Sequence, residues 1–278
     1  MTVIALTGVT GTIGGLIARE LTLENIPVRM LMRDTLKSPL LRHTKVFECS
    51  YADPESSLAA LAGVEVLFMV SAHESADRLD EHKTFIAAAA EAGVRHIVYT
   101  SFIGASRHST FTLGRDHGAT EDYIRSSGMT WTFLRDNFYA EIFPHFADDN
   151  GVIRGPAGLG KVAPVSQRDV AAVGAKVLRD PQTHSHSTYE LTGPAALTMD
   201  QIAEVLTRVT GKPHAFQNET VAEARASRAH YGAPDWQVDA WISTYTAIRD
   251  GELNAVSSDI GRLLGRPALG LAQALTTP

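Results

Sequence analysis

The residues best suited to chemistry in this chain form one run near its start, Thr7-Gly8-Val9-Thr10-Gly11-Thr12-Ile13-Gly14. Glycines at this spacing suit a turn that receives a phosphate: Gly8 permits the tight turn, Gly11 lets the backbone approach a pyrophosphate, and Gly14 lets a helix pack close to a sheet. The helix N-terminus that follows then presents its unpaired N–H groups and the positive end of its dipole to the phosphates. The spacing is G-x-x-G-x-x-G rather than G-x-G-x-x-G, so it is a variant of the dinucleotide fingerprint.

The elements needed to position that turn flank it. An apolar run, Val3 to Leu6, enters it as a strand, and Ile13, Leu16, Ile17 and Leu21 leave it at helical spacing. Val28 to Met32 reads as a second strand and Lys45 to Glu48 as a short third. Pro54 to Ala62 reads as a helix stopped by Gly63. Val64 to Val70 is nearly continuous in apolar residues, as for a strand covered on both faces. A helix over Asp80–Ala92, a strand over His96–Thr100, a helix over Arg115–Ser127 and a strand over Thr130–Leu134 follow. Such alternation requires parallel pairing through right-handed crossovers, hence an α/β, Rossmann-type doubly wound parallel sheet.

Beyond residue 135 the pattern loosens. Gly151 to Pro164 is expected to be loop with one short strand. Ser166 to Asp169 has capping-box spacing and opens a helix through Leu178, and Tyr189 to Leu191 is a last strand. Thr198 to Gln201 is a second capping box, opening a helix that Gly211 closes. The remainder reads as mostly helical. The expected division is a dinucleotide-binding Rossmann domain over residues 1–150. Residues 151–278 add the remaining sheet elements and a small, interleaved, mostly helical C-terminal lobe.

At the end of the second strand, a carboxylate would select NAD by bonding its ribose hydroxyls. Here that place holds Arg33, with Lys37 nearby. A guanidinium grips a 2′-phosphate through paired charge-assisted bonds, which favours NADP, with Asp34 next door as the competing acid.

Bulk composition narrows the class. The chain has 278 residues, 25 Lys and Arg against 31 Asp and Glu, and a net charge of −6. It has no basic block, so a nucleic-acid partner is not expected. The single cysteine, Cys49, precludes an intramolecular disulfide and fits a reducing compartment. Without a secretory pattern or a bilayer-length apolar run, the protein is expected to be cytoplasmic, with no membrane partner. His184-Ser185-His186 lacks a third ligand at metal spacing and reads as a loop, so no metal site is expected.

Thr7-Gly8-x-x-Gly11-x-x-Gly14, Leu31-Met32-Arg33-Asp34, Tyr99-Thr100-Ser101 and Phe133 to Tyr139 together resemble the NmrA-like branch of the atypical short-chain dehydrogenase/reductases. Ala92 to Ile97 and Leu263 to Pro267 extend the resemblance along most of the chain. Within that branch it resembles the bacterial NADPH:quinone oxidoreductases and the related triphenylmethane dye reductase. The resemblance implies an extended Rossmann fold with a small substrate lobe and NADP (NADPH) as cofactor. It carries cofactor contacts over to Thr7, Gly8, Thr10, Gly11, Thr12, Ile13, Gly14, Arg33 and Ser71. Asp136, Asn137, Phe138 and Tyr139 match the segment beside the nicotinamide, with Lys161 as a further candidate there.

Where typical short-chain dehydrogenases carry Tyr-x-x-x-Lys, this chain has Leu113-x-x-x-His117. Leu113 exchanges no proton, which argues against alcohol–ketone redox by the usual route. A quinone tolerates the change, because its reduced oxygen is phenolate-like, with a pKa of about 10, far below an alkoxide's. The expected activity is hydride transfer from NADPH to a quinone or similar flat acceptor. His117 and Tyr139 are the candidate catalytic residues, and His73, Phe138 and Tyr139 the candidate acceptor contacts. The expected partner is a small-molecule electron acceptor, with a homodimer as a possible assembly. The alternative is a dinucleotide-sensing regulator of the same family that performs no turnover.

Overall fold

A computed structural model describes residues 2–276. The chain forms two compact units, each assembled from three stretches. One holds the chain up to Ser101, together with His117–Arg135 and Val170–Tyr189. The other holds Phe102–Asp116, Asp136–Asp169 and the chain from Glu190 onward. Residue 150 falls within the second unit.

Chain order in the first half is β1 (Ile4–Leu6), α1 (Thr12–Leu23), β2 (Val28–Met32), β3 (Thr44–Glu48), α2 (Pro54–Leu61), β4 (Val66–Met69), α3 (Arg78–Glu91), β5 (His96–Phe102), α4 (Thr112–Ser126) and β6 (Thr130–Asp136). There follow β7 (Val152–Gly155), β8 (Lys161–Val162), α5 (Gln167–Arg179), β9 (Ser187–Leu191), β10 (Leu197–Thr198), α6 (Met199–Thr210), β11 (Ala215–Asn218), α7 (Val221–Arg228), α8 (Asp235–Arg249), α9 (Asp259–Leu264) and α10 (Leu271–Thr276). No helix among the described residues is long and apolar enough to cross a membrane.

The main sheet has the order β3-β2-β1-β4-β5-β6-β9. Pairing is parallel from β3 through β5, with Ile4 opposite both Val28 and Val66. The order reverses between β1 and β4, and open sheets of this kind form their ligand crevice at the carboxyl ends of those strands. Every residue of β1 and β4 is buried, which explains why both read as unbroken apolar runs. On α1, Ile13, Ile17 and Leu21 recur every fourth residue and are buried. The core of this unit gathers Leu67, Phe85, Ile97, Tyr99 and Phe133.

The second unit packs Phe138, Phe143, Ile153, Met199, Ile202, Leu206 and Ile248. α6 starts with the reciprocal Thr198–Gln201 box and stops at left-handed Gly211. The stretch expected to be loop with one strand contains two: β7 pairs parallel with β11, and β8 pairs antiparallel with β10. β11 escaped detection because its AFQN sequence is largely exposed and lacks a burial alternation. Asp169, expected to close a capping box with Ser166, instead accepts the Leu269 amide (2.7 Å) and pairs with Arg266 (2.7 Å). β6 also runs past Leu134 to Asp136. Its apolar pattern breaks there because the last residue buries a carboxyl.

Candidate active site

In the first unit, one open cleft is lined by the ends of four strands: Thr7, Gly8 and Thr10 after β1, Leu31 to Arg33 at β2, Cys49 to Tyr51 after β3, and Val70 to His73 after β4, with Glu81 of α3. Gly8 has φ +64°, and a Cβ there would lie 2.8 Å from the Val70 side chain. A Cβ on Gly14 would lie 2.5 Å from the Gly8 backbone, so the start of α1 seats directly on the turn. At Gly11 the nearest atom to such a Cβ is the Gly8 oxygen, at 3.4 Å. The protein's own packing therefore demands glycine at 8 and 14, whereas at 11 it leaves room for a Cβ. Gly11 caps α1 without any side-chain bond, and the first turn holds no acidic residue. Its leading amides are thus available to an anion. Thr12 is exposed and Ile13 is buried in the core.

Arg33 is exposed and makes no ion pair or side-chain hydrogen bond among the described residues. Asp34, the competing acid, is engaged instead: its carboxylate accepts the Leu36 amide (3.1 Å) and pairs with Lys37 (3.4 Å). A free guanidinium beside an occupied carboxylate suits a phosphate better than a ribose hydroxyl pair.

Thr7 is a clasp. It is buried, and its Oγ1 accepts the Val70 amide (2.9 Å) and reaches Phe68 O at 3.3 Å, tying β1 to β4. Tyr51 Oη lies 2.6 Å from Thr7 Oγ1 and 2.7 Å from Val70 O, sharing its one hydrogen between them. Its ring stacks on Phe85 at 4.2 Å.

The loop after β4 is held from below. The Ser71 amide donates to Thr100 Oγ1 (2.9 Å). The Ala72 amide donates to His82 Nε2 (2.8 Å), and Arg78 Nε donates to Ala72 O (3.0 Å). Beneath them His117 is buried, with Nε2 3.0 Å from Arg78 Nη2 and Nδ1 2.9 Å from Tyr99 Oη. Burial, and then Arg78, lower the pKa of His82 to about 3 and that of His117 well below its ordinary value. Both imidazoles are neutral at physiological pH and act as fixed hydrogen-bonding struts. Ser101 likewise donates to buried Glu121 (2.6 Å), which also receives Arg125 and a bidentate Arg135. His73 is exposed at the cleft rim.

In the second unit, Asn137 spends its side chain on the protein: Nδ2 donates to Leu253 O (3.0 Å) and Oδ1 accepts the Phe138 amide (2.8 Å). The Phe138 ring meets Phe102 and Phe111 edge-on at 5.0 and 5.3 Å, inside the core. Tyr139 is half-buried and donates to Asp136 Oδ2 at 2.8 Å. Asp136 is fully buried, and that burial raises its pKa well above the ordinary carboxyl value, with the Tyr139 bond opposing the shift. Lys161 is exposed on β8, opposite Thr198. His184 is buried, not in solvent, and its Nδ1 lies 2.7 Å from Tyr189 Oη.

Sequence reasoning missed Arg78, His82 and Tyr51. A signal for the first two existed: they stand one turn apart on the face of α3 that carries Phe85, Ile86 and Ala89, where polar side chains need buried partners.

A doubly wound sheet with a glycine turn and a free cation after β2 defines a dinucleotide-binding protein of the Rossmann class. Residues 1–226 match the NmrA-like family, and the chain belongs to it. Quinone oxidoreductase 2 of Escherichia coli is 32% identical over 281 residues, covering 98% of this chain and 97% of that protein. An NAD(P)H azoreductase of Xenophilus azovorans is 31% identical, covering 97% and 96%. Among solved structures, the triphenylmethane reductase of Citrobacter sp. complexed with NADP(H) superposes with a TM-score of 0.85, at 30% identity and 98% coverage of both chains.

Proposed function

We propose that this chain is an NADPH-dependent reductase that delivers hydride to a quinone or a similar flat, conjugated acceptor. The observation that carries the reading is Arg33, an unengaged cation at the end of β2 beside a glycine turn whose helix amides are uncapped. Similarity to quinone- and dye-reducing proteins along the whole chain supports the choice of acceptor.

NADPH, when bound, supplies the hydride. The Thr12, Ile13 and Gly14 amides would hold its pyrophosphate in the room left at Gly11, and Arg33 would grip the 2′-phosphate, while Thr10, Ser71 and His73 line the cleft together with Arg33. Thr7 acts from beneath by keeping β1 and β4 in register. His117 is a positioning residue: it braces Arg78, which with His82 fixes Ala72 in the β4-exit loop. We assign Asn137 and Phe138 to shaping the segment that presents Tyr139, and Lys161 to the same neighbourhood.

Leu113 stands where a tyrosine acid is usual, so the acceptor must need less help from a proton in the transition state. A phenolate-like product meets that condition. Absorbance of NADPH followed with a small benzoquinone and with a cationic triphenylmethane dye tests the reading. Acceptor-dependent oxidation, faster with NADPH than with NADH, is expected. No acceptor-dependent rate with either compound overturns it.

A further inference from the structure

We propose that the Asp136 carboxyl and the Tyr139 hydroxyl form a two-step proton relay that completes reduction of the acceptor. The inference rests on the reductase reading and adds the proton source which that reading lacks.

The geometry is specific. Asp136 ends β6 with 1% of its surface exposed. Its Oδ2 accepts Tyr139 Oη at 2.8 Å, whereas Oδ1 is buried with no hydrogen-bond partner among the described residues. No Lys, Arg or His of the described residues pairs with it, and Tyr139 is the titratable side chain that faces it. The backbone is pinned on both sides. Ile103 N donates to Asp136 O (3.0 Å), Asn137 N to Leu191 O (2.9 Å), and Val165 brackets Tyr139 through Phe138 O (3.0 Å) and the Ala140 amide (2.8 Å).

A buried carboxyl without a cation keeps its proton, because an isolated charge there is far costlier than the neutral acid. Tyr139, half-buried, links that acid to the surface of the unit. The steps balance. The quinone gains a hydride from NADPH, and its reduced oxygen takes the Tyr139 proton, breaking the phenol O–H bond. With the acceptor bound, the Tyr139 hydroxyl turns its hydrogen from Oδ2 to the acceptor oxygen, so that an acid proton on Oδ2 points at Tyr139 Oη and passes to it, which restores the phenol. Asp136 is left as a carboxylate that accepts the Tyr139 hydroxyl until it is reprotonated from solvent. The net change is quinone, NADPH and one proton to hydroquinone and NADP⁺. The proton ends on a hydroquinone oxygen whose pKa is about 10, and solvent replaces the one that Asp136 gave up.

The test compares the wild type, Asp136→Asn and Tyr139→Phe with two acceptors. A quinone must be protonated after hydride arrives, whereas a cationic dye is neutralised by hydride alone. With the quinone, both variants are expected to lose about 100-fold in kcat, the usual worth of a general acid. Dye turnover should fall far less. Wild-type quinone turnover should decline with rising pH as Asp136 ionises, and Asp136→Asn should lack that limb. An infrared carbonyl band of a protonated carboxyl, shifted in heavy water and missing from Asp136→Asn, reads the acid without turnover. Equal losses with both acceptors, no loss with either, or absence of the band overturns the relay while leaving the reductase intact. A wild type inactive with both acceptors overturns the reductase reading itself, and the relay with it.

Discussion

Arg78 Nη2 donates to His117 Nε2 across 3.0 Å of buried space, and this contact sets the chemistry of the histidine. A guanidinium has only donors, so Nε2 must be the acceptor and Nδ1 must carry the hydrogen that faces Tyr99 Oη. A second proton would place an N–H against the guanidinium, which is why Arg78 adds to the effect of burial in lowering the pKa. The same arginine holds Ala72 O, so the ring is coupled to the loop that lines the cleft.

His117→Ala removes the acceptor from that buried donor. The expected cost is about 1–3 kcal/mol of folding stability, plus a cavity contribution. Urea midpoints measure it, and KM for NADPH should rise through the loosened loop. A variant that matches the wild type in both would show that the ring bears no structural load.

Acid should destabilise the fold through the buried histidines. An unfolded histidine takes a proton near its ordinary value of 6.5, whereas folded His82 does so only at about 3. Between those values the unfolded state holds more protons, so stability rises with pH, is complete above about 6.5, and is lost toward about 3. Each such histidine contributes a slope of about 1.4 kcal/mol per pH unit. Denaturant titrations between about pH 5 and pH 7 check the sign, and His82→Gln should reduce the slope.

Substitution of two glycines separates packing from binding. Gly14→Ala sets a methyl 2.5 Å from the Gly8 backbone, and overpacking of that kind costs about 1–3 kcal/mol. Gly11→Ala meets nothing nearer than 3.4 Å and should keep its Tm while losing NADPH affinity. Thermal melts beside calorimetric titration with NADPH distinguish them. Unchanged affinity in Gly11→Ala would place the pyrophosphate elsewhere.

Arg33→Ala should raise KM for NADPH about 10- to 100-fold, the worth of a charge-assisted bond of roughly 1.5–3 kcal/mol. KM for NADH should stay within about twofold, because that cofactor has no 2′-phosphate to lose. Equal changes with both cofactors would assign the guanidinium to another role.

Most of the sheet was legible beforehand. β2 matches its expected bounds, and α1, α2, β4 and α6 fall within a few residues of theirs, because burial periodicity and turn glycines are local properties. β11 was not legible, since an exposed strand shows no burial alternation. Of the candidate site residues, Thr7, Gly8, Thr10, Arg33, Ser71 and His73 line one cleft. The burial of His117 and His184 was not legible, because an isolated histidine reads equally well as surface or core.

By itself the sequence determined the glycine turn, the alternating strands and helices, and the cation at the end of β2. Those depend on residue types a few positions apart, and backbone sterics and helix periodicity act at that range. Tertiary structure alone decided which polar side chains are already engaged. Thr7 is held by Tyr51, Asn137 by Leu253 and Ala72 by His82, through partners that lie far apart in the chain and meet only when the core closes. That same closure raises the pKa of Asp136, because a carboxyl's charge depends on the water removed from around it and not on its neighbours in sequence.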